Sequence, residues 1–348
     1  MTYPADTSYY HTLPLSTDAD MRRRFMVLDE PLQGNLRFGL LLEVLDKVAE
    51  RTALAYVNRF HSQAWVVTAA IDNIFVRHAA DVTRDLICHA RINHVGRSSV
   101  EVGIRVEQPG EPANHIASCY FTMVARSGTG GDAVSVILPP LEYAEGAEQQ
   151  RFDKAVDRRE EYKQQQAALL EPPGRDEFLM LASLHHAQEE PGFSGLLTGR
   201  LVTDAWERMY PIKEYNPKMI FGGYLIRRAY ELSAICSELV APGRSIIAAV
   251  NRINFMHPVR LGDTLHFTSR VVYTTSSFVC VEANIERISR DRTSKALSNS
   301  CLFTFVHVDN DLNHCPVPPV YPTTYAEDAR YLAAMRSYQA IVAHHSII

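Results

Sequence analysis

The sequence predicts an α+β fold made of two copies of one domain, each a long central helix wrapped by an antiparallel sheet. Three observations carry that expectation. The run from Leu40 to Val57 holds no Pro or Gly, follows Gly39, and sets Leu40, Leu41, Leu42, Val44 and Leu45 most of the way round a helical wheel. A helix that apolar on nearly every side must be enclosed by other structure. Runs rich in Val, Ile, Phe and Tyr follow it, separated by turn residues, and they read as neighbouring strands. Finally, the whole pattern recurs further along the chain.

The 348 residues are enough for two domains with full cores, and 46% hydrophobic with 22% charged content describes a soluble globular chain. A net charge of −5 gives no general reason to expect nucleic acid or an anionic membrane. No apolar run approaches the ~18 residues of a membrane span. The opening Met1 to Tyr10 has neither a basic nor an apolar signal region, and Asp6, Asp18 and Asp20 argue against a transit peptide. Cysteines at 88, 119, 236, 280, 301 and 315 lack disulfide-like or zinc-like spacing, so reduced thiols and a cytoplasmic compartment are expected.

Taken in order, residues 1–20 read as a poorly structured lead-in, and residues 21–140 as the first domain. Arg22, Arg23 and Arg24 fit a solvated helix face. Trp65 to Phe75, Leu86 to Arg91, Ser99 to Val106 and Ala117 to Ala125 are its strand candidates. Residues 141–200 are charged, Gln-rich and helical, broken at Pro172-Pro173-Gly174, and read as a linker. The second domain, 201–325, opens with Phe221-Gly222-Gly223 and another helix from Tyr224 to Leu232. Ile247 to Ile253 repeats the Val67 to Ile74 run, and His257 stands 179 residues after His78 (257 − 78). Ser300 to Val306 repeats Ser118 to Val124. Similarity this extended means two copies related by a pseudo-two-fold. Residues 326–348 read as a closing helix.

The central helix also carries chemistry. Glu43 and Asp46 lie inside its apolar run, where a carboxylate must be paired, hydrogen-bonded or shifted in pKa. Gly39 begins the helix, and free amides at a helix start polarise an oxyanion. Seven residues separate Gly39 from Asp46, about 10 Å along the axis at about 1.5 Å per residue. One helix therefore cannot present both to one carbonyl, and the acid of one copy must face the helix start of the other. Attack of water on a carbonyl needs that combination, a polarised oxygen and a base.

The chain resembles the acyl-CoA thioesterases built of two fused hot-dog domains, especially the acyl-CoA thioesterase 9 type. The resemblance rests on Asn35-x-x-Phe38-Gly39 with Asp46, on Val67-Thr68-Ala69-x-x-Asp72-x-Ile74, and on Gly96-Arg97-Ser98-Ser99-x-Glu101-Val102 with Phe121-x-Met123-Val124-Ala125-Arg126. In the second copy it rests on Ile220 to Leu225 with Arg227 and Ala229 to Leu232, and on Pro258-Val259-x-x-Gly262. It implies a tandem hot-dog fold that hydrolyses fatty acyl-CoA at the domain interface, with an Asn from one copy and an acid from the other. The mitochondrial matrix becomes a second candidate compartment, and a homo-oligomer of double units is expected.

Two composite sites follow. One combines Asp46 with Gly222 and Gly223. The other combines Asn35 and the Gly39 amide with a second-copy acid. At the position matching Asp46 stands Tyr230, which leaves Glu231 as the nearest acid. Arg97, Ser98, Ser99 and Arg252 are candidates for contacting CoA, whereas Asp72, Asn251, His78 and His257 read as structural. No metal or cofactor is expected: His185-His186 and His314-Cys315 lack partners at ligand spacing, and Gly96-Arg-Ser-Ser-Val is no serine elbow. Two alternatives stay open. One is an acyl-CoA-binding or scaffold protein with decayed sites. The other is a hydratase, whose frame Glu214-Tyr215-Asn216-Pro217-Lys218-Met219 mimics without the histidine.

Overall fold

A computed structural model describes residues 2–30, 32–128, 133–144, 146–169, 171–211, 220–240 and 243–344. The first copy comprises β1 (Tyr9–Leu13), α1 (Ala19–Phe25), the central α2 (Phe38–Val57), β2 (Trp65–Ile71), β3 (Ile74–Val76), β4 (Leu86–Val95), β5 (Ser99–Gln108), β6 (Asn114–Ser127) and β7 (Val134–Ser135). Then come α3 (Ala147–Leu169), α4 (Arg175–Glu189) and β8 (Leu196–Leu197). The second copy follows as β9 (Val202–Arg208), the central α5 (Gly222–Ser237), β10 (Arg244–Val250), β11 (Ile253–Phe255), β12 (Thr264–Thr274), β13 (Phe278–Ile288) and β14 (Lys295–Val308). β15 (Val320–Tyr321) and α6 (Tyr325–His344) close the chain.

The two copies share one sheet. Its order is β1-β4-β5-β6-β2-β11-β14-β13-β12-β9, with β3, β7 and β10 attached off that path. The copies join where β2 pairs antiparallel with β11 and β3 with β10, setting Ile71 opposite Ile253 and Ile74 opposite Val250. This is a tandem hot-dog, with the sheet wrapped round α2 and α5. Leu41, Leu45, Ala49 and Ala53 of α2 have no exposed surface, which is why this helix is apolar on so many sides. The two helices run antiparallel: a Cβ built on Gly39 would meet Tyr230 and Arg227, and one built on Gly223 would meet Asp46 and Glu43. Glycine at each start is what lets the helix end approach its partner so closely.

Three features depart from the sequence-based expectation. Residues 9–13 are no loose lead-in. Tyr9 to Leu13 pairs with β4 and covers what would otherwise be an open sheet edge. The expected strand from Trp65 to Phe75 breaks at Asp72-Asn73, where the chain crosses the joint between the copies. And α3, which its composition suggested was a solvated linker, is anchored on the sheet by polar contacts. Arg158 pairs with buried Glu101 and stacks 3.6 Å over the Tyr120 ring, while Tyr162 accepts a 2.6 Å hydrogen bond from Asn254 of the second copy.

Candidate active site at the helix crossing

Asp46 lies fully buried on α2, one turn beyond Glu43, and faces the start of α5. The Gly223 amide donates to its Oδ2 at 2.7 Å, and the Thr68 hydroxyl donates to its Oδ1 at 2.6 Å. A Cβ on Gly222 would come within 3.4 Å of Oδ2. The acid and the helix start of opposite copies therefore meet, as their spacing requires. Burial pushes the Asp46 carboxyl up to about 7 against the opposing pull of those two hydrogen bonds, with Glu50 and Glu43 adding repulsion. A carboxyl of that kind both takes and returns a proton near neutral pH.

Thr68 is the residue beside Asp46 that the sequence reading quoted within a motif but gave no role. A β-bulge between Thr68 and Ala70 shifts the β2–β6 register at this point and sets the hydroxyl beneath Asp46. The corresponding bulge in the second copy falls between Ile247 and Ala249. Aligned on the bulges, Thr68 corresponds to Ile247. The sequence holds the signal, since Ile247 is 179 residues after Thr68, the same offset that joins the two histidines (247 − 68).

The second composite site is built differently. Asn35 is 3% exposed and all its hydrogen-bonding capacity is used by its own loop. Its amide oxygen accepts from the Val27 and Leu28 amides at 3.1 and 2.8 Å, and its NH2 donates to the Leu28 carbonyl at 2.7 Å and to the Glu30 carbonyl. Asn35 was expected to act on substrate; here its side chain ties together the segment ahead of α2. At Gly39 a Cβ would lie 2.9 Å from Tyr230 Cδ1, so the ring packs against the backbone of this helix start. Tyr230 is wedged among Phe38, Phe303 and Phe305 at centroid distances of 6.0, 5.6 and 5.7 Å. Glu231 is no free base. Arg37 pairs with it at 2.5 Å, Arg228 at 3.4 Å and Arg227 at 3.7 Å. Arg227 also grips Glu43 at 2.8 Å, so one ion-pair chain runs along the helix crossing between the two sites.

Of the four residues expected to contact CoA, Arg97, Ser98 and Ser99 form the β4–β5 turn. There the Ser99 and Ser98 carbonyls accept from the Gly96 and Ala125 amides, and Arg97 is exposed. Arg252 is committed internally. It pairs with Asp72, donates from Nε to Asn254 at 3.2 Å and stacks 3.9 Å over Tyr162, because its position at the joint sets it opposite a buried carboxylate. The hydratase-like frame from Glu214 to Met219 lies outside the described residues. Among the described residues no group of His, Cys, Asp and Glu is arranged to hold a metal, and no helix is long and apolar enough to cross a membrane.

The model of the Thioesterase superfamily matches residues 34–112 and 218–293, one segment in each copy. The chain is 26% identical to human mitochondrial acyl-coenzyme A thioesterase 9 over 94% of its own length and 76% of the relative's. An uncharacterized acyl-CoA thioester hydrolase of Zymomonas mobilis is 30% identical over 31% of this chain and 73% of its own. Among solved structures, an acyl-ACP thioesterase from Bacteroides thetaiotaomicron superposes with a TM-score of 0.49 at 11% identity, covering 87% of this chain and 100% of that one.

Proposed function

The chain belongs to the thioesterase superfamily, and from that premise we propose that it hydrolyses acyl-CoA to free acid and CoA at a single composite site, Asp46 against the start of α5. The observation that carries this reading is the buried Asp46 carboxylate, held between Thr68 of its own copy and the Gly223 amide of the other. In this mechanism the Asp46 carboxylate takes a proton from water as the water oxygen attacks the thioester carbonyl. The oxyanion that forms lies at the start of α5, where the first amides have no partner within the helix. Gly222, with no side chain, lets the Phe255 ring and the Asp46 carboxylate close on the backbone here, where a Cβ would lie 2.9 and 3.4 Å from them. Collapse re-forms the carbonyl and breaks the C–S bond. The proton held on Asp46 then passes to the leaving thiolate, whose own pKa near 8.5 makes it the better base. The products are the carboxylic acid and CoA-SH.

A fatty acyl group, a homo-oligomer of double units and a mitochondrial location complete the proposal. The mitochondrial names of relatives that match most of this chain support that location over the cytoplasm. Exposed Arg97 in the β4–β5 turn is the proposed contact to CoA phosphate. Trapping of released thiol together with quantitation of free acid, over a series of acyl-CoA lengths, tests the activity. Equimolar release of both is expected. Saturable acyl-CoA binding with no thiol released would instead make the chain a binding protein.

A further inference from the structure

The second site, with Tyr230 at the position of Asp46, has a cavity. Its volume is about 720 Å³, within the roughly 300–1,000 Å³ of small-molecule sites. Its inner wall is apolar, with Phe38, Tyr230, Ile247 and Phe267. Apolar side chains also line the mouth, where Val27, Leu28 and Ile235 are 64%, 44% and 56% exposed. Water-exposed apolar residues around an apolar hollow mark a binding surface rather than a solvated one. The charged groups on the wall are Arg37, Arg228 and Arg244 against Glu231 and Glu238, a surplus of one cation. Arg37 reaches Glu231 through one terminal nitrogen, and a guanidinium carries five N–H donors.

The groups that would consume a ligand are missing from the same walls. Tyr230 stands where the working site has Asp46, and Ile247 where it has Thr68. The Tyr230 ring packs against Gly39, and the Asn35 side chain is saturated by backbone groups. We infer that this cavity is a second ligand site, which takes an amphiphilic anion, a fatty acyl chain with an anionic head, and holds it without hydrolysing it. The chain lies among the apolar side chains and the head meets Arg37 at the rim. The inference rests on the one-site reading for its lack of turnover, but binding itself does not depend on that reading.

Equilibrium binding tests it, with cis-parinaric acid as a fluorescent free fatty acid and a thioether analogue of palmitoyl-CoA as the CoA-linked source. The full chain is expected to bind parinaric acid saturably, and Asp46→Asn is expected to leave that binding in place. Ala234→Trp fills the cavity from α5, and Ile235→Glu places a like charge at its exposed mouth. Each is expected to weaken binding by about tenfold or more. Circular dichroism and a melting curve verify that both are folded, and the exposure of Ile235 keeps that arm usable if Ala234→Trp is not. Displacement of parinaric acid by the thioether, at a stoichiometry of two analogues per chain, assigns the site to acyl-CoA. Persistence of the parinaric acid assigns it to the free acid. Absence of saturable binding, binding indifferent to both cavity variants, or binding lost with Asp46→Asn would overturn the inference. None of these readouts uses turnover, so their failure leaves hydrolysis at Asp46 untouched.

Discussion

At the scale of single residues, the account turns on how Asp46 is held. Burial raises its carboxyl to about 7, and of the two hydrogen bonds that oppose this the one from the Thr68 hydroxyl pulls harder. A hydrogen bond donated to the ionised form favours that form. Thr68→Val removes it, so the ascending limb of kcat/KM against pH moves to higher pH, and kcat at neutral pH falls by roughly 10–100-fold. A pH–rate profile checks both; a limb that stays in place or moves down contradicts the role given to Thr68. Asp46 was legible because a carboxylate inside an apolar helix, seven residues after a glycine, needs a reason to be there. Thr68 was not, since a threonine in a β-rich run is an ordinary strand former until a bulge turns it under an acid. The surroundings of Asn35 were hidden for a related reason. The sequence names its amide but not the four backbone bonds that exhaust it.

At the scale of elements, the site is the crossing of α2 and α5, and glycine sets its closeness. A Cβ on Gly223 would sit 3.0 Å from the Asp46 Cβ and 3.1 Å from the Glu43 Cα. The second contact is backbone, so a helix must move to relieve it. Gly223→Ala is expected to destabilise by about 1–3 kcal/mol as an overpacked crossing. It should also lower kcat by roughly 100-fold, because a shift near 1 Å misplaces the acid. Melting curves and single-substrate kinetics measure the two effects, and an alanine variant with full activity would refute the close-approach argument. Both glycine-led helices were legible from composition. Their antiparallel pairing followed from distance alone, since no single helix could offer acid and amide to one carbonyl. The break at Asp72-Asn73 was not legible, because β-propensity continues straight through it into Ile74 and Phe75.

At the scale of the molecule, two copies of one pattern give one sheet, and the repeat was legible because equal cores demand equal apolar spacing. What the repeat hid was the asymmetry. Tyr230 and Ile247 stand in the second copy where the first has an acid and a hydroxyl, so one site carries a hydrogen-bonded carboxylate and the other a cavity walled by apolar side chains. The fastening of the copies by α3 was also hidden, as a charged Gln-rich segment looks solvated until Arg158 finds Glu101 and Asp72. Arg158→Met leaves Glu101, 1% exposed, without its cation. A loss of about 2–3 kcal/mol in denaturant-induced unfolding is expected, somewhat under the full cost of breaking a buried pair because Arg158 keeps some exposure. Unchanged stability would mean that α3 merely lies on the sheet.

The measurement that bears most directly on a single working site is the kcat of two isosteric variants on the same acyl-CoA. Asp46→Asn keeps the side chain's shape and removes the base, and is expected to lower kcat by at least ~100-fold. Glu231→Gln removes the acid next to the Asp position of the second site, yet that acid is already clamped by three arginines. It should change kcat by less than about fivefold, on the order of 1 kcal/mol. A dead Glu231→Gln beside a nearly normal Asp46→Asn would contradict the account and place the chemistry at the other end of the helix crossing.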